Sequence, residues 1–407
     1  MTAIEQFPPS REAGLQRLAR FAPRAGHTYA IGRNFDPGPG RTGAVSQLSP
    51  YVRRRLVMES EIVGHVLARH SVADAEKFVQ EVLWRTYWKG WLEMRPGVWT
   101  RFLEERDRAA GTFSDLRAVA DAQAGRTGVD GFDHWARELV DTGYLHNHAR
   151  MWFASIWIFT LGLPWTLGAD FFLRHLIDAD PASNTLSWRW VAGLQTAGKT
   201  YLASAENISR FTNGRFAPTG LAATAIPLTE PPVEAARSLP DAAACAPERP
   251  ALLLVTAEDL FPESLITDRF RVRGAIVAAG PDPSVGEAAR RFSDGAASDT
   301  ATRLQAMVEG SVERFATLDA GRLVEAARTA GVQTIVTPFA PVGPTADRLS
   351  RIAPVLAGEG VDLVQVRRSW DTRFWPHATA GFFSFRKQIP ALLAGEGGPA
   401  ARPAADG

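Results

Sequence analysis

The chain holds one cysteine, Cys245, in 407 residues, so it cannot build an internal disulfide framework, and a lone thiol makes neither a zinc nor an iron–sulfur site. It also lacks a dominant charge, with 45 Lys and Arg against 44 Asp and Glu for a formal +1. Without a global polycation, any nucleic-acid partner must be held by a local patch. Disorder is excluded for most of the chain, because 45% of residues are hydrophobic and the net charge is small. The N-terminal MTAIEQFPPSREAGLQRLAR has no apolar signal-peptide core. The most apolar stretch, 151–165, is broken by Ser155, Gly162 and Pro164 and is too short for a bilayer. A cytoplasmic protein with no membrane anchor is the expectation. No GxGxxG phosphate loop follows any of the strand-like runs, and no fixed-period repeat occurs.

What is present divides the chain. Ten of the twelve Trp lie between Trp84 and Trp190, the other two being Trp370 and Trp375. Upstream of residue 218, apolar residues recur at helical spacing over 60–68, 75–92, 133–140, 147–161 and 169–177, with almost no strand-like alternation. This predicts an all-α domain over 1–218. Residues 219–249 are rich in Pro and Ala and read as a linker crossing a surface. Over 250–394, four short apolar runs beginning at 251, 274, 332 and 361 alternate with Ala-rich helical stretches, with Gly at the helix-to-strand junctions. That is the rhythm of an α/β open parallel sheet of Rossmann-like type. Residues 395–407 are small and polar and read as a disordered tail.

Four clusters carry chemistry. Tyr29, Arg33 and the loop Val45-Ser46-Gln47-Leu48-Ser49 offer small residues and hydroxyls running toward a helix, as an anion site requires, and equally as an unliganded cap would. In EVLWRTYWK, Glu81, Arg85 and Trp88 share one helical face, overlapped by a stripe of Trp84, Trp88 and Trp91. In TGYLHNHARMWFAS, Asn147, Arg150 and Met151 fall on one side of a helix. His146 and His148, two apart with no further His or Cys in register, read as hydrogen-bonding groups rather than metal ligands. The fourth string, LIDADPASNTLSWRW, packs Asp178, Asp180, Asn184, Trp188 and Trp190 into a short span.

These strings, in this order, resemble the FAD-binding domain of the DNA photolyase and cryptochrome superfamily over roughly residues 25–215. The following GKTYLASAENISRF resembles the iron–sulfur bacterial branch, but the cysteines for the cluster are absent. The resemblance implies FAD as cofactor, with Tyr29, residues Val45 to Ser49 and Arg85 at its phosphates. Asn147 and Arg150 would flank the flavin, Arg150 paired with Asp178, while Asp180 would meet the ring edge and Asn184 the N5 atom. A neutral amide there cannot protonate N5 as a carboxylic acid could, which tilts the reading toward repair. Trp188 and Trp165 match the first two members of the family's electron relay; the third, expected near 111–113, is missing. Glu81, Trp84, Met151 and Trp190 match positions lining the pocket for a flipped pyrimidine dimer, against the plainer reading of Trp84 and Trp190 as core indoles.

The implied function is a deoxyribodipyrimidine photo-lyase that splits cyclobutane pyrimidine dimers by electron transfer from photoexcited reduced FAD. UV-damaged DNA is its partner, met by a basic surface drawn from Arg53 to Arg55, Lys89, Lys199, Arg210 and Arg215. The alternative is a cryptochrome-like blue-light photoreceptor signalling through a protein partner. A monomer is expected, with no metal and an antenna chromophore left unassigned. The segment SWDTRFWPHATAGFFSFRKQIPALL resembles the end of the family's antenna domain. Because that domain usually precedes the helical one, a circular permutation is inferred, against an unrelated flavodoxin-like module.

Overall fold

The structure, a computed structural model, describes residues 3–243, 248–266, 271–279 and 285–394. Cys245, residues 280–284 and residues 395–407 lie outside the described residues. Helices fall where apolar spacing predicts them: Glu59–Leu67, Glu76–Glu93, Phe132–Thr142, Asn147–Ser155 and Trp165–His175. The run predicted as one helix over 147–161 changes to a wider π turn at Ile156–Thr160. Pro181–Val191 starts sharply, because Asp180 Oδ1 accepts from the Ser183 N–H at 2.8 Å and Pro181 occupies the first turn.

All strands among the described residues lie in 251–366 and pair in parallel, in the order β3-β2-β1-β4-β5. They are β1 (Ala251–Thr256), β2 (Val272–Ala278), β3 (Val312–Arg314), β4 (Thr334–Pro338) and β5 (Asp362–Val366). Four strands are predicted from sequence and five are present among the described residues. β3 escapes because it is three residues long and reads Val-Glu-Arg, with no apolar run to mark it. Gly331 (φ 65°) and Gly360 (φ 74°) precede β4 and β5 in the left-handed conformation that stops a helix.

Both faces of the sheet are covered. Leu253, Val255, Ala275, Val277 and Val336 join one continuous core with the helical part, whereas Leu252, Leu254, Ile276 and Ile335 meet the helices Ala320–Thr329 and Pro344–Gly358. Alternation along each strand therefore sends one set of side chains to the helical part and the other to the outer layer. The helix Glu76–Glu93 is the main bolt between the parts. Its Gly90 lies against Trp375, where a Cβ would come within 2.8 Å of the Trp375 Cα, so only glycine permits this approach.

The Pro/Ala-rich stretch, through Ala243, is pinned to the surface it crosses. The Ala222 N–H donates to Thr160 Oγ1 at 3.1 Å and the Leu228 N–H to the Ala192 carbonyl at 3.0 Å. Glu230 receives Arg189, and the Arg237 N–H reaches the Met94 carbonyl at 3.0 Å. Among the described residues no helix is long and apolar enough to cross a membrane.

Candidate functional site

Asp180 sits at the centre of the site. One oxygen caps its own helix; the other, without a hydrogen bond, faces Arg85 and Lys89 at 3.5 Å each and Arg53 at 3.9 Å. Burial alone would raise its pKa, but Lys89, Arg85 and Arg53 together outweigh that and hold the carboxyl far below the ordinary range. Arg85 and Lys89 are four apart on the Glu76–Glu93 helix, so one face delivers both cations. Two residues earlier, Asp178 accepts from Arg150 Nη2 at 3.0 Å while its second oxygen lacks a partner. Burial raises Asp178, and Arg150 and Arg85 reverse the shift, leaving it lowered. The Ser49 hydroxyl contributes in the same direction, which places the 45–49 loop beside this pair.

Asn184, one turn after Asp180, donates its amide to the Ala169 carbonyl at 2.9 Å. Trp188 follows one turn later, so Asp180, Asn184 and Trp188 share a helical face. The Trp188 ring packs onto Gly168, where a Cβ would sit 2.4 Å from its Cη2, and Trp165 lies one turn before Gly168 on the same helix. The Trp188 indole thus packs on the helix that carries Trp165. Trp157 crosses Trp188 edge-on at 6.3 Å between ring centroids.

Tyr29 lies in an aromatic cluster with Phe21 and Phe78, and its phenol is pushed up by burial and by the charge of Glu81. Glu81 itself is ion-paired with Arg33. In the loop, Ser46 Oγ accepts from the Leu48 N–H at 3.3 Å, and Gln47, at φ 52°, accepts from Arg17 at 2.9 Å. Val45 and Gln47 border a small cavity with Asp36, Glu138, Tyr144 and His146. There burial and the Asp36 charge push Glu138 up to about 8, and burial holds His146 down to about 4. The His148 ring bonds to the Asn34 carbonyl at 3.0 Å.

Not every candidate converges. Asn147 is exposed at the start of its helix while Arg150, one turn on, reaches Asp178. Trp84 lies against Phe382 with ring centroids 3.8 Å apart, whereas Trp190 stacks on Tyr201 at 5.7 Å, so the two indoles have different partners. Met151 is half-buried on the Arg150 helix. Of the basic candidates, Arg53, Arg55 and Lys89 are corrected by the structure: they are buried among carboxylates and cannot form a surface. Arg215 pairs with Asp36 at 2.8 Å; Lys199 and Arg210 are exposed.

Sequence reading missed Glu258, which follows β1 and takes a two-pronged hydrogen bond from Arg53 at 2.6 and 2.9 Å. No local signal marks it, since its partner lies 205 positions away. Lys89 could have been found from its four-residue spacing after Arg85.

Residues 78–215 match the family described as the FAD binding domain of DNA photolyase, and all five strands lie outside the matched segment. A deoxyribodipyrimidine photo-lyase of Alkalihalophilus pseudofirmus is 32% identical over 191 residues, 47% of this chain and 39% of that protein. One from Thermus thermophilus is 33% identical over 193 residues, 47% of this chain and 45% of that protein. The chain thus spans less than half the length of these relatives. The crystal structure of a bacterial class III photolyase from Agrobacterium tumefaciens aligns at TM-score 0.42 and 27% identity, over 50% of this chain and 43% of that one.

The residues fit the group this family binds. Four cations, Arg53, Arg85, Lys89 and Arg150, surround three carboxylates, Asp178, Asp180 and Glu258, leaving one positive charge over. Arg85 Nη1 and Lys89 Nζ are buried with no hydrogen-bond partner among the described residues. Such a surplus beside unsatisfied donors suits the pyrophosphate and electron-rich ring of FAD.

Proposed function

We propose that this protein, whose residues 78–215 match the FAD binding domain of DNA photolyase, is a light-driven DNA repair flavoprotein acting on cyclobutane pyrimidine dimers. FAD, when bound, would supply the light-driven one-electron chemistry of dimer splitting. Everything else is the work of the chain. Arg150, fixed by Asp178 at 3.0 Å, supplies a positive charge. Arg85 and Lys89, held by Asp180, add further positive potential. Asn184 offers a neutral amide that holds no mobile proton. Tyr29 and residues 45–49 would bind the phosphates, and Trp188 and Trp165 would carry electrons between the site and the surface.

The Arg150–Asp178 pair, adjacent to Asp180 and its cations and with Asn184 one turn along, is the observation that carries this reading. Glu81, Trp84, Met151 and Trp190 are proposed as the lesion-contacting set, with exposed Lys199 and Arg210 among the backbone contacts. We also read the helical part and the sheet as the two modules of the family joined in reversed order. Purified protein should show visible flavin absorbance and, under blue light, reverse dimers in a UV-irradiated thymine oligonucleotide.

One observation favours a photoreceptor instead: Trp84 is covered by Phe382 and Glu81 is engaged by Arg33, as in a pocket not used for a base. Bound flavin with no dimer reversal would decide for that second reading.

A further inference from the structure

Residues 36–43, Asp-Pro-Gly-Pro-Gly-Arg-Thr-Gly, run over the small cavity bordered by Glu138 and His146 and lead into residues 45–49. Beyond Asp36, none of their backbone N–H groups donates to another part of the chain among the described residues. Gly38 turns back to Asp36 Oδ1 at 2.9 Å, and Arg41 to the Gly38 carbonyl at 3.3 Å. Side chains hold the segment down instead. Arg215 Nη2 donates to the Asp36 carbonyl at 2.9 Å and pairs with Asp36 Oδ2 at 2.8 Å. Gln47 and Arg24 reach the Arg41 and Gly43 carbonyls at 3.2 Å each. Gly38, at φ 91°, makes room for Arg215, since a Cβ there would come within 2.7 Å of its Nη1. We propose that residues 36–43 form a latched flap over this cavity and the 45–49 loop, with Arg215 as the latch and the Glu138 carboxyl as its release.

The release follows from what is left unpaired under the flap. Glu138 is 9% exposed, and its Oε2 has no hydrogen-bond partner among the described residues. A carboxylate so placed lacks donors to replace water, and the cavity, about 10 Å³, has room for a single water. The closed flap therefore needs Glu138 as the neutral acid, and burial with the charge of Asp36 lifts it accordingly to about 8.

The neighbouring groups do not answer a charge there. His134 Nε2 stands 3.6 Å from Oε2, and His146 Nδ1 accepts from the His148 N–H at 3.2 Å. Burial lowers both rings, which leaves them neutral at pH 7, and it pushes the Tyr144 phenol up. Arg137 and Asp141 on the Glu138 helix and Arg41 on the flap are exposed. Arg215 is the cation whose charge favours ionised Glu138, and it is already engaged by Asp36. Ionised Glu138 competes with Asp36 for it, and the latch loosens. Because the open flap releases a proton that the closed flap holds, opening becomes easier as pH rises from the ordinary carboxylate range to about 8, then levels off.

Control of access to residues 45–49 as a cofactor loop rests on the flavin reading; the flap itself does not. Opening is read by trypsin cutting after Arg41 in the full-length purified protein, with each cut identified by mass and its rate divided by that on a free peptide spanning the same bond. From pH 6 to pH 8 this ratio should rise at least about tenfold, while cutting after Arg117, whose side chain is 93% exposed on a separate helix, keeps a constant ratio. Glu138→Gln, which cannot ionise, should be cut slowly at both pH values and Arg215→Ala rapidly at both. A pH rise that survives in Glu138→Gln would overturn the proposal, as would a parallel rise at Arg117, which reports global loosening. Should Glu138→Gln fail to fold, Asp36→Asn decides, because removing the competing charge should flatten the same profile. Wild-type protein that comes out without flavin yet shows the Glu138-dependent cut upholds the flap and counts against the proposed function.

Discussion

Two buried charge clusters lie at neighbouring ends of the same structure and carry opposite surpluses. Around Asp180 the cations outnumber the carboxylates. At the seam with the sheet, Glu59, Asp259 and Asp371 surround Arg55 and Arg368, so the acids outnumber the bases. In the seam cluster Arg55 meets both oxygens of Asp371 at 2.6 and 2.7 Å and Arg368 meets Asp259 at 2.8 and 2.9 Å, while Glu59 stands 3.6 Å from Arg55 without a hydrogen bond. The same residue types thus do two jobs. An acid-rich cluster joins the helical part to the sheet, and a base-rich one surrounds Asp180.

That contrast can be broken most forcefully at Arg55. Arg55→Leu removes the cation that three carboxylates share and should cost about 3–5 kcal/mol in urea unfolding, because uncompensated buried charge remains. Arg85→Ala, in the other cluster, should behave differently. Flavin content after purification should fall about tenfold while the far-UV circular dichroism stays as in the wild type. Equal loss of fold in both variants would erase the distinction. Gly90→Ala tests the seam through packing, and a Cβ against the Trp375 backbone should cost about 1–3 kcal/mol.

The smallest effect concerns pH at the edge of the base-rich site. Glu138 is raised from 4.5 to about 8, so the folded state holds a proton that the unfolded chain releases above 4.5. Stability is therefore lost as pH rises through that window. Glu138→Gln should match the wild type at pH 4 and melt about 2 °C higher at pH 8. A gain of the same size at both values would point to packing rather than titration.

Much of the base-rich site was legible because its parts lie within single helices: Arg85 in one, Arg150 in a second, Asp180, Asn184 and Trp188 in a third. Periodicity reaches that far. The acid-rich seam was invisible, since Arg55 and Asp371 stand 316 positions apart and nothing local marks either. Reading Arg53 to Arg55 as a basic surface failed for the same reason: a run of three arginines shows its charge but not the carboxylates folded over it. The placement of Phe382 on Trp84 depended likewise on a contact that spans most of the chain.

The connector has one more effect on the sheet. At its far end Ala243 forms a parallel bridge to Val366, donating to the Gln365 carbonyl and accepting from the Arg367 N–H, both at 2.9 Å. Part of the outer rim of β5 is thereby already occupied, and the opposite rim is the three-residue β3. A parallel sheet with one border sheathed by its own chain and the other too brief to template a neighbour offers little purchase for strand-by-strand growth into fibrils.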